Sequence, residues 1–312
     1  MTDRGRAMTS KVLITGATGM QGGAAIKALL RAGHSVTGFV RDPASAPAEA
    51  LAAQGVALAT GNLEDPASLE AAAAGHDAVF SVQLPGVDPA DPGAEQRQAR
   101  NIATAAKRAG VTQIIHTSVS GTGWREQHPG IEITDPVMKA YWDEKEAAEE
   151  VIRQAGLERW TILKPAFYMD NYLLPSKIAF QFPELPEREL VTSASPEALL
   201  VMINADDFGA AVAAAVADPD RFHEAEIELG GDALTQNEIA DILGKATGRE
   251  ITPVFISTEE QVKRMGSPTA WGDTWTDRVG YPARPHHAAA YGLTTTTLEE
   301  WAARQDWRNP VG

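Results

Sequence analysis

The sequence predicts an α/β fold: a doubly wound parallel sheet with a smaller α/β unit on its C-terminal side. Two observations carry this. Short apolar runs alternate with helical stretches from residue 12 to residue 165, as repeated βα units require. The first run, Val12, Leu13 and Ile14, ends in a turn carrying Gly16, Gly19 and Gly22, three apart, with an Ala-rich helical pattern over 24–32 behind it. Strand, glycine turn and helix in that order make the pyrophosphate-binding unit of a Rossmann domain. Gly16 permits the tight turn, Gly19 lets backbone approach a phosphate, and Gly22 lets the helix close on the strand. The free N–H groups and positive dipole end at the helix start then hold the anion. The candidate seat is therefore Gly16, Thr18, Gly19, Met20, Gln21 and Gly22.

Composition narrows the function. The 312 residues suffice for one large or two small domains, and the formal charge is −15. An acidic surface repels phosphate backbones, which disfavours direct nucleic-acid binding. With no cysteine, disulfide, thiol-redox and thiolate chemistry are excluded. No apolar run is long enough for a membrane span. Residues 1–9 read as a polar leader without a signal-peptide core, and the expected location is cytoplasmic.

Taken in order, residues 35–40 read as a second strand after Gly33. Its end should meet the adenosine ribose, where an acidic residue would favour NAD. Arg41 stands there instead, and a guanidinium pairs with a 2′-phosphate. The reading is NADP, with NAD the weaker alternative because Asp42 follows directly. Asp42 is expected to cap a helix over 43–54 opened by Pro43. A third strand covers 56–60, and Asn62 and Leu63 follow where an adenine could rest. Asp65 and Pro66 start the next helix. The fourth strand, 77–82, delivers Val82 and Gln83 to a loop that reaches Gly93 and lines the cofactor groove. A helix over 94–109 precedes the fifth strand, 111–117.

The chemistry gathers after that strand. Ser118 and Ser120 could polarise a carbonyl. Tyr141 and Lys145, four apart in a helical stretch running to about 155, share one helix face. A phenol titrates near ~10; a lysine beside it would lower that value and make Tyr141 an acid–base group at neutral pH. The sixth strand, 160–163, ends at Pro165, which cannot sit inside a central ladder. The turn of Pro165, Phe167 and Tyr168 would lie beside the nicotinamide.

By this point the chain resembles the NmrA-like family of atypical short-chain dehydrogenases. The resemblance rests on the glycine turn, the Arg41-Asp42-Pro43 step, Lys145 followed by Glu149, the segment 164–171, and the endings Val279-Gly280-Tyr281 and Leu298-Glu299-Glu300-Trp301. It implies a Rossmann domain for NADP(H) or NAD(H) and a smaller domain closing over it. It also implies cofactor contacts from 16–22, Arg41, the loop after Val82, Lys145 and the 165–168 turn. In extended relatives the catalytic serine aligns close to Val119; Ser118 is preferred here over Ser120. Several members of the family look like redox sensors that lack the tyrosine, so the presence of Tyr141 favours catalysis.

The expected division is a Rossmann domain over 10–165, joined by 199–217, with 166–198 and 218–312 forming the substrate or lid domain. Residues 172–196 read as a loop and short helix. Strands are expected at 199–203, 226–229 and 251–256, and helices at 207–217, from Thr235 to 245 by a Thr235/Glu238 capping box, and from Thr258. Trp271, Trp275, Tyr281, His286 and His287 are expected to pack or to line an apolar pocket rather than to bind a metal. The functional expectation is an NADPH-dependent reductase of a small carbonyl, quinone or conjugated double bond. Tyr141 would be the proton donor, Lys145 would hold the nicotinamide ribose, and Ser118 would polarise an aromatic or quinone-like substrate. The alternative is a redox sensor without turnover, acting as a homodimer or with a protein partner.

Overall fold

The computed structural model describes residues 9–307 apart from 86, 89 and 174; the side chains of 176, 177 and 180 are likewise outside the description. Residues 1–8 of the expected leader, and Gly86 in the loop before Gly93, thus lie outside the described residues. The first half runs β1 (Lys11–Ile14), α1 (Met20–Arg31), β2 (Ser35–Val40), α2 (Ala46–Ala53), β3 (Ala57–Thr60), α3 (Pro66–Ala73), β4 (Ala78–Ser81), α4 (Ala94–Arg108), β5 (Gln113–Thr117), α5 (Trp124–Gln127), α6 (Pro136–Arg153) and β6 (Arg159–Pro165). The second half runs β7 (Phe167–Tyr168), α7 (Pro175–Gln181), β8 (Glu189–Thr192), β9 (Leu200–Ile203), α8 (Ala205–Ala217), β10 (Ala225–Leu229), β11 (Asp232–Leu234), α9 (Gln236–Thr247), β12 (Thr252–Phe255), α10 (Thr258–Met265), α11 (Ser267–Arg278), α12 (Pro285–Ala290) and α13 (Leu298–Ala302).

Among the described residues the main sheet has seven strands in the order β10-β6-β5-β4-β1-β2-β3. Every pairing is parallel, as the doubly wound prediction requires. Sequence chemistry explains the elements. β4 and β5 are buried throughout, as central strands of a sheet covered on both faces must be. One face packs Val12, Ile14 and Phe80 against the apolar sides of α1 and α8, including Ile26, Leu29, Phe208 and Val212. The other packs Leu13, Val79, Ile114 and Ile162 against α3, α4 and α6 through Leu69, Ile102 and Ile152. Asp65 caps α3 through the Ala67 N–H, and Asp135 caps α6 through the Met138 N–H.

Beyond the main sheet, β11-β9-β7 form a three-stranded sheet and β12-β8 a two-stranded one. Their core joins Met169, Tyr172, Leu190, Met202, Ile239, Leu243, Leu298 and Trp301. The predicted Thr235/Glu238 capping box is present, and a second one, Thr297/Glu300, starts α13.

Four expectations need correction. Residues 225–229, assigned to the smaller domain, pair in parallel with β6 from Ala225–Thr161 to Leu229–Pro165 and so complete the main sheet. Of 199–217, α8 does pack on α1, but β9 pairs with β7 and β11. Asp42 does not cap a helix at Pro43: its Oδ1 accepts from the Ala44 N–H at 2.9 Å within a turn, and α2 starts later, after Ser45. The stretch 172–196 contains a strand, β8, whose register with β12 runs from Glu189–Thr252 to Thr192–Phe255.

Candidate active site

The glycine turn forms as its spacing predicts. Gly16 has φ +56° and faces Val82: an added Cβ there would lie 2.7 Å from Val82 Cγ1. Gly22 is closer still, since a Cβ would sit 2.2 Å from the Gly16 carbonyl oxygen. The Gly19 N–H donates to that same oxygen at 2.9 Å, folding the turn back under α1. Thr15 locks Val82 in place: the Val82 N–H donates to Thr15 Oγ1 at 2.8 Å, and that hydroxyl lies 3.0 Å from the Val82 carbonyl oxygen. Gly16, Thr18 and Gly19 are exposed, Met20 and Gln21 are half-buried, and the first turn of α1 carries no acidic side chain and no side-chain cap. The mouth of α1 therefore offers bare N–H groups to an anion, and the residues present fit a dinucleotide pyrophosphate.

The adenosine end fits as well. Arg41 follows β2, is exposed, and makes no ion pair among the described residues. Asp42 has turned its carboxylate to the Ala44 N–H, so it does not neutralise the guanidinium. Asn62 is exposed at the end of β3 with its Oδ1 on the Glu64 N–H, and Leu63 is held by Asn101 Nδ2 on its carbonyl at 2.9 Å.

Tyr168, after β6, packs toward the α1 side of the sheet. Its ring packs edge-on to Phe208 and sits in the core cluster against which Met20 of α1 packs, and its buried hydroxyl has no hydrogen-bond partner among the described residues. Tyr141 in turn couples to Tyr281 and Glu95. Tyr141 of α6 and Tyr281, in the segment after α11, pack in one aromatic cluster. Pro165, the last residue of β6, accepts the Ser120 N–H at 2.9 Å. Phe167 turns away into an aromatic group with Tyr172 and Phe182.

Lys145 is placed one turn after Tyr141, with its Nζ 5.8 Å from that ring's centroid. Its charge, however, goes to Glu95, 2.7 Å away, and both side chains are buried. The expected lowering of the phenol is therefore reversed. Burial first, then the neighbouring Tyr281 phenol and the Glu95 carboxylate, hold Tyr141 well above the ordinary tyrosine range. Burial likewise pushes Tyr281 up to about 12. A second polar chain lies behind the lysine: Gln83 Nε2 donates to Ser81 Oγ at 2.7 Å, and that oxygen lies 3.2 Å from His116 Nδ1. Burial, followed by the Lys145 charge, pushes His116 down to about 3.

The serines are placed differently from the expectation. Ser118 Oγ donates to Glu149 Oε1 at 2.6 Å. A hydroxyl has one proton to give, so Ser118 has none left to polarise a carbonyl. Glu149 also receives Thr122 and Arg153, and Lys164 lies 3.2 Å from it, a buried charge network on the α6 side of the sheet. Ser120 Oγ is buried and accepts the Ala283 N–H at 3.3 Å. Val119, between them, joins the aromatic cluster of Trp124, Trp142, Trp271, Trp275, Tyr141 and Tyr281. Strand alternation is the cause, since neighbouring residues point to opposite faces.

Sequence reasoning missed Glu95 and His116, and took Tyr281 as packing or lining an apolar pocket rather than as a phenol beside Tyr141. The signal for Tyr281 was present in Val279-Gly280-Tyr281; for Glu95, fifty residues from Lys145, there was none. Among the described residues no group of three histidines or carboxylates is placed to hold a metal.

A family model described as the NmrA-like family matches residues 8–273. The chain is 30% identical over 266 residues to an NAD(P)H azoreductase of Xenophilus azovorans, with 84% of each covered. It is 29% identical over 273 residues to quinone oxidoreductase 2 of Escherichia coli K12, covering 85% of this chain and 86% of that one. Its fold is similar to the crystal structure of the NADPH-dependent quinone oxidoreductase QOR2 of Escherichia coli complexed with NADPH. The TM-score there is 0.72 at 25% identity, with 94% of this chain and 98% of that chain covered. With its glycine turn, its Tyr141/Lys145 pair and a family match over most of its length, the chain belongs to the NmrA-like family.

Proposed function

We propose that this protein is an NADPH-dependent reductase of small carbonyl, quinone or conjugated-alkene substrates. The observation that carries the reading is the pair on α6, with Lys145 Nζ 5.8 Å from the centroid of the Tyr141 ring, in a chain whose glycine turn leaves the mouth of α1 without a side-chain cap. Relatives named as quinone and azo reductases support the same class.

Bound NADPH supplies the hydride, and the acceptor takes up a proton as it is reduced. The chain does the rest. The α1 N-terminus and Gly16–Gly22 turn seat the pyrophosphate, and Arg41 takes the 2′-phosphate. Tyr141 is a neutral phenol over the physiological range, as any phenol titrating near ~10 is, with burial raising it further, and its proton is the one given to the reduced oxygen or carbon. Lys145, fixed by Glu95, lies at the level of the phenol to meet the nicotinamide ribose. Ser118 is committed to Glu149, so Tyr141 is assigned to the acceptor.

The test follows NADPH oxidation at 340 nm against a panel of quinones, azo dyes and aldehydes, with wild type and Tyr141→Phe. Turnover in wild type, lost by about a hundredfold or more in the variant at near-unchanged NADPH affinity, is expected. Tight NADPH binding with no acceptor consumed would sink the reductase and favour a sensor; full turnover in the variant would remove Tyr141 from the chemistry.

A further inference from the structure

We infer that Tyr281 is a second hydrogen-bond donor to the acceptor oxygen, forming with Tyr141 a two-phenol seat in the role that the sequence suggested for Ser118. The inference deepens the reductase reading and rests on it for that oxygen being a substrate's.

The chain fixes Tyr281 beside the acid. Just after α11, Gly280 reverses the backbone at φ +67°, and its N–H donates to the Trp275 carbonyl at 3.0 Å. Tyr281 is thereby turned back onto the helix, with its ring centroid 4.9 Å from that of Trp275. Arg284 Nη1 donates to the Tyr281 carbonyl at 2.8 Å and holds the turn. Trp275 packs on Trp142 at 5.0 Å, and Trp142 on Tyr141 at 5.5 Å. These contacts tie the two phenols into one cluster. After burial, Tyr281 is the neighbour that most raises Tyr141, as a second phenol close by does.

The hydroxyls set this pair apart. Tyr168 and Tyr172 have hydroxyls without a partner that are sealed from solvent. Tyr141 and Tyr281 are half-buried, their hydroxyls are not among the sealed atoms, and neither bonds a described residue. Tyr281 also forms part of the wall of a cavity of about 130 Å³, with Phe167, Phe182, Leu190 and Leu200. A dry cavity of about 150 Å³ accepts a benzene ring, so a single ring has room next to the phenols. Ser118 cannot serve, because its proton is given to Glu149.

A neutral phenol has one proton to donate, and burial pushes Tyr281 up to about 12. Charge builds on the acceptor oxygen as the hydride arrives. The Tyr141 O–H bond breaks to protonate that oxygen, and the phenolate left behind takes a proton from water. Tyr281 keeps its proton and holds the same oxygen by a hydrogen bond. A fixed donor aimed at developing charge in a dry site lowers the barrier.

The test is Tyr281→Phe, which keeps the ring and removes only the hydroxyl. With a quinone that wild type reduces, kcat should fall about ten- to a hundredfold, with KM and NADPH affinity within about twofold and the melting temperature unchanged. Unchanged kcat overturns the assignment. A second arm needs no turnover: 4-nitrophenol, whose anion absorbs in the visible, is titrated with pH in the presence of the full chain. Two neutral donors favour the bound anion, so the bound probe should titrate at lower pH than the free one. Tyr281→Phe and Tyr141→Phe should each reverse part of that displacement. A displacement that survives intact in Tyr281→Phe, or no binding of the probe, overturns the pair, as does a loss of kcat accompanied only by a lower melting temperature. If Tyr281→Phe does not fold, the wild-type probe decides alone, and no displacement overturns the pair. A displacement that depends on both phenols, with no quinone reduced, defeats the reductase reading while leaving the two-phenol seat standing.

Discussion

Lys145 Nζ and Glu95 Oε1 lie 2.7 Å apart with both side chains shut off from solvent, whereas Lys27 and Asp206 lie 2.8 Å apart with both in water. Distance is nearly the same; burial decides the energetic consequence. Removing one partner of the inner pair strands a charge in a low-dielectric interior, at about 3–5 kcal/mol. Glu95→Gln should therefore lower stability by that order in urea unfolding, and Asp206→Asn by less than about 1 kcal/mol. Because Glu95 helps to hold the Tyr141 phenol up, Glu95→Gln should also shift a tyrosinate absorbance titration to lower pH. Equal urea midpoints for the two variants would contradict this account.

Arg41 makes no ion pair among the described residues, while Asp42 is occupied by the Ala44 N–H. Arg41→Ala should weaken NADPH binding about ten- to a hundredfold, the worth of a charge-assisted hydrogen bond, and leave NADH binding within about twofold. Paired titrations with the two nucleotides check it. Parallel losses for both would mean that the guanidinium does not read the 2′-phosphate.

Gly22 and Gly23 are neighbours with opposite tolerances. A Cβ at Gly22 meets the Gly16 carbonyl at 2.2 Å, while one at Gly23 meets nothing within 4 Å. Gly22→Ala should cost about 1–3 kcal/mol from overpacking and weaken nucleotide binding as the turn shifts. Gly23→Ala should be neutral or stabilising by up to about 1 kcal/mol through helix propensity. Thermal melts with and without NADPH separate the two.

His116 gives a pH signature. Its folded value near 3 lies below the ordinary 6.5, so the unfolded chain binds the extra proton first. The stabilisation is complete above about pH 6.5 and is lost as pH falls from there through about 3. His116→Asn should flatten this part of a stability-versus-pH curve, measured by urea midpoints. An unchanged slope would remove the histidine from the acid response.

Much of the fold was legible because local signals agreed with one another. The apolar runs of β1 to β6, the cap at Asp65 and the Thr235/Glu238 box each name an element and its boundary. The Gly16–Gly22 turn is readable for the same reason, since its constraint is within seven residues. β8 and β11 were not, being four and three residues long and held by partners remote in the chain, β12 and β9. At the site, the Tyr141/Lys145 spacing could be read, but the direction of the phenol's shift could not. That direction depends first on burial and then on Tyr281 and Glu95, all of which only the tertiary structure brings about. Ser118 shows the same limit: its position after β5 was readable, its commitment to Glu149 was not.

The late return of β10 to the edge beside β6 has a practical corollary. A fragment cut after α8, at the outer limit that sequence suggested for the nucleotide-binding part, would strip β6 of its neighbour and bare a row of amides and carbonyls. Such an unguarded border recruits foreign strands, so shortened versions of this chain should clump unless the cut falls beyond residue 229.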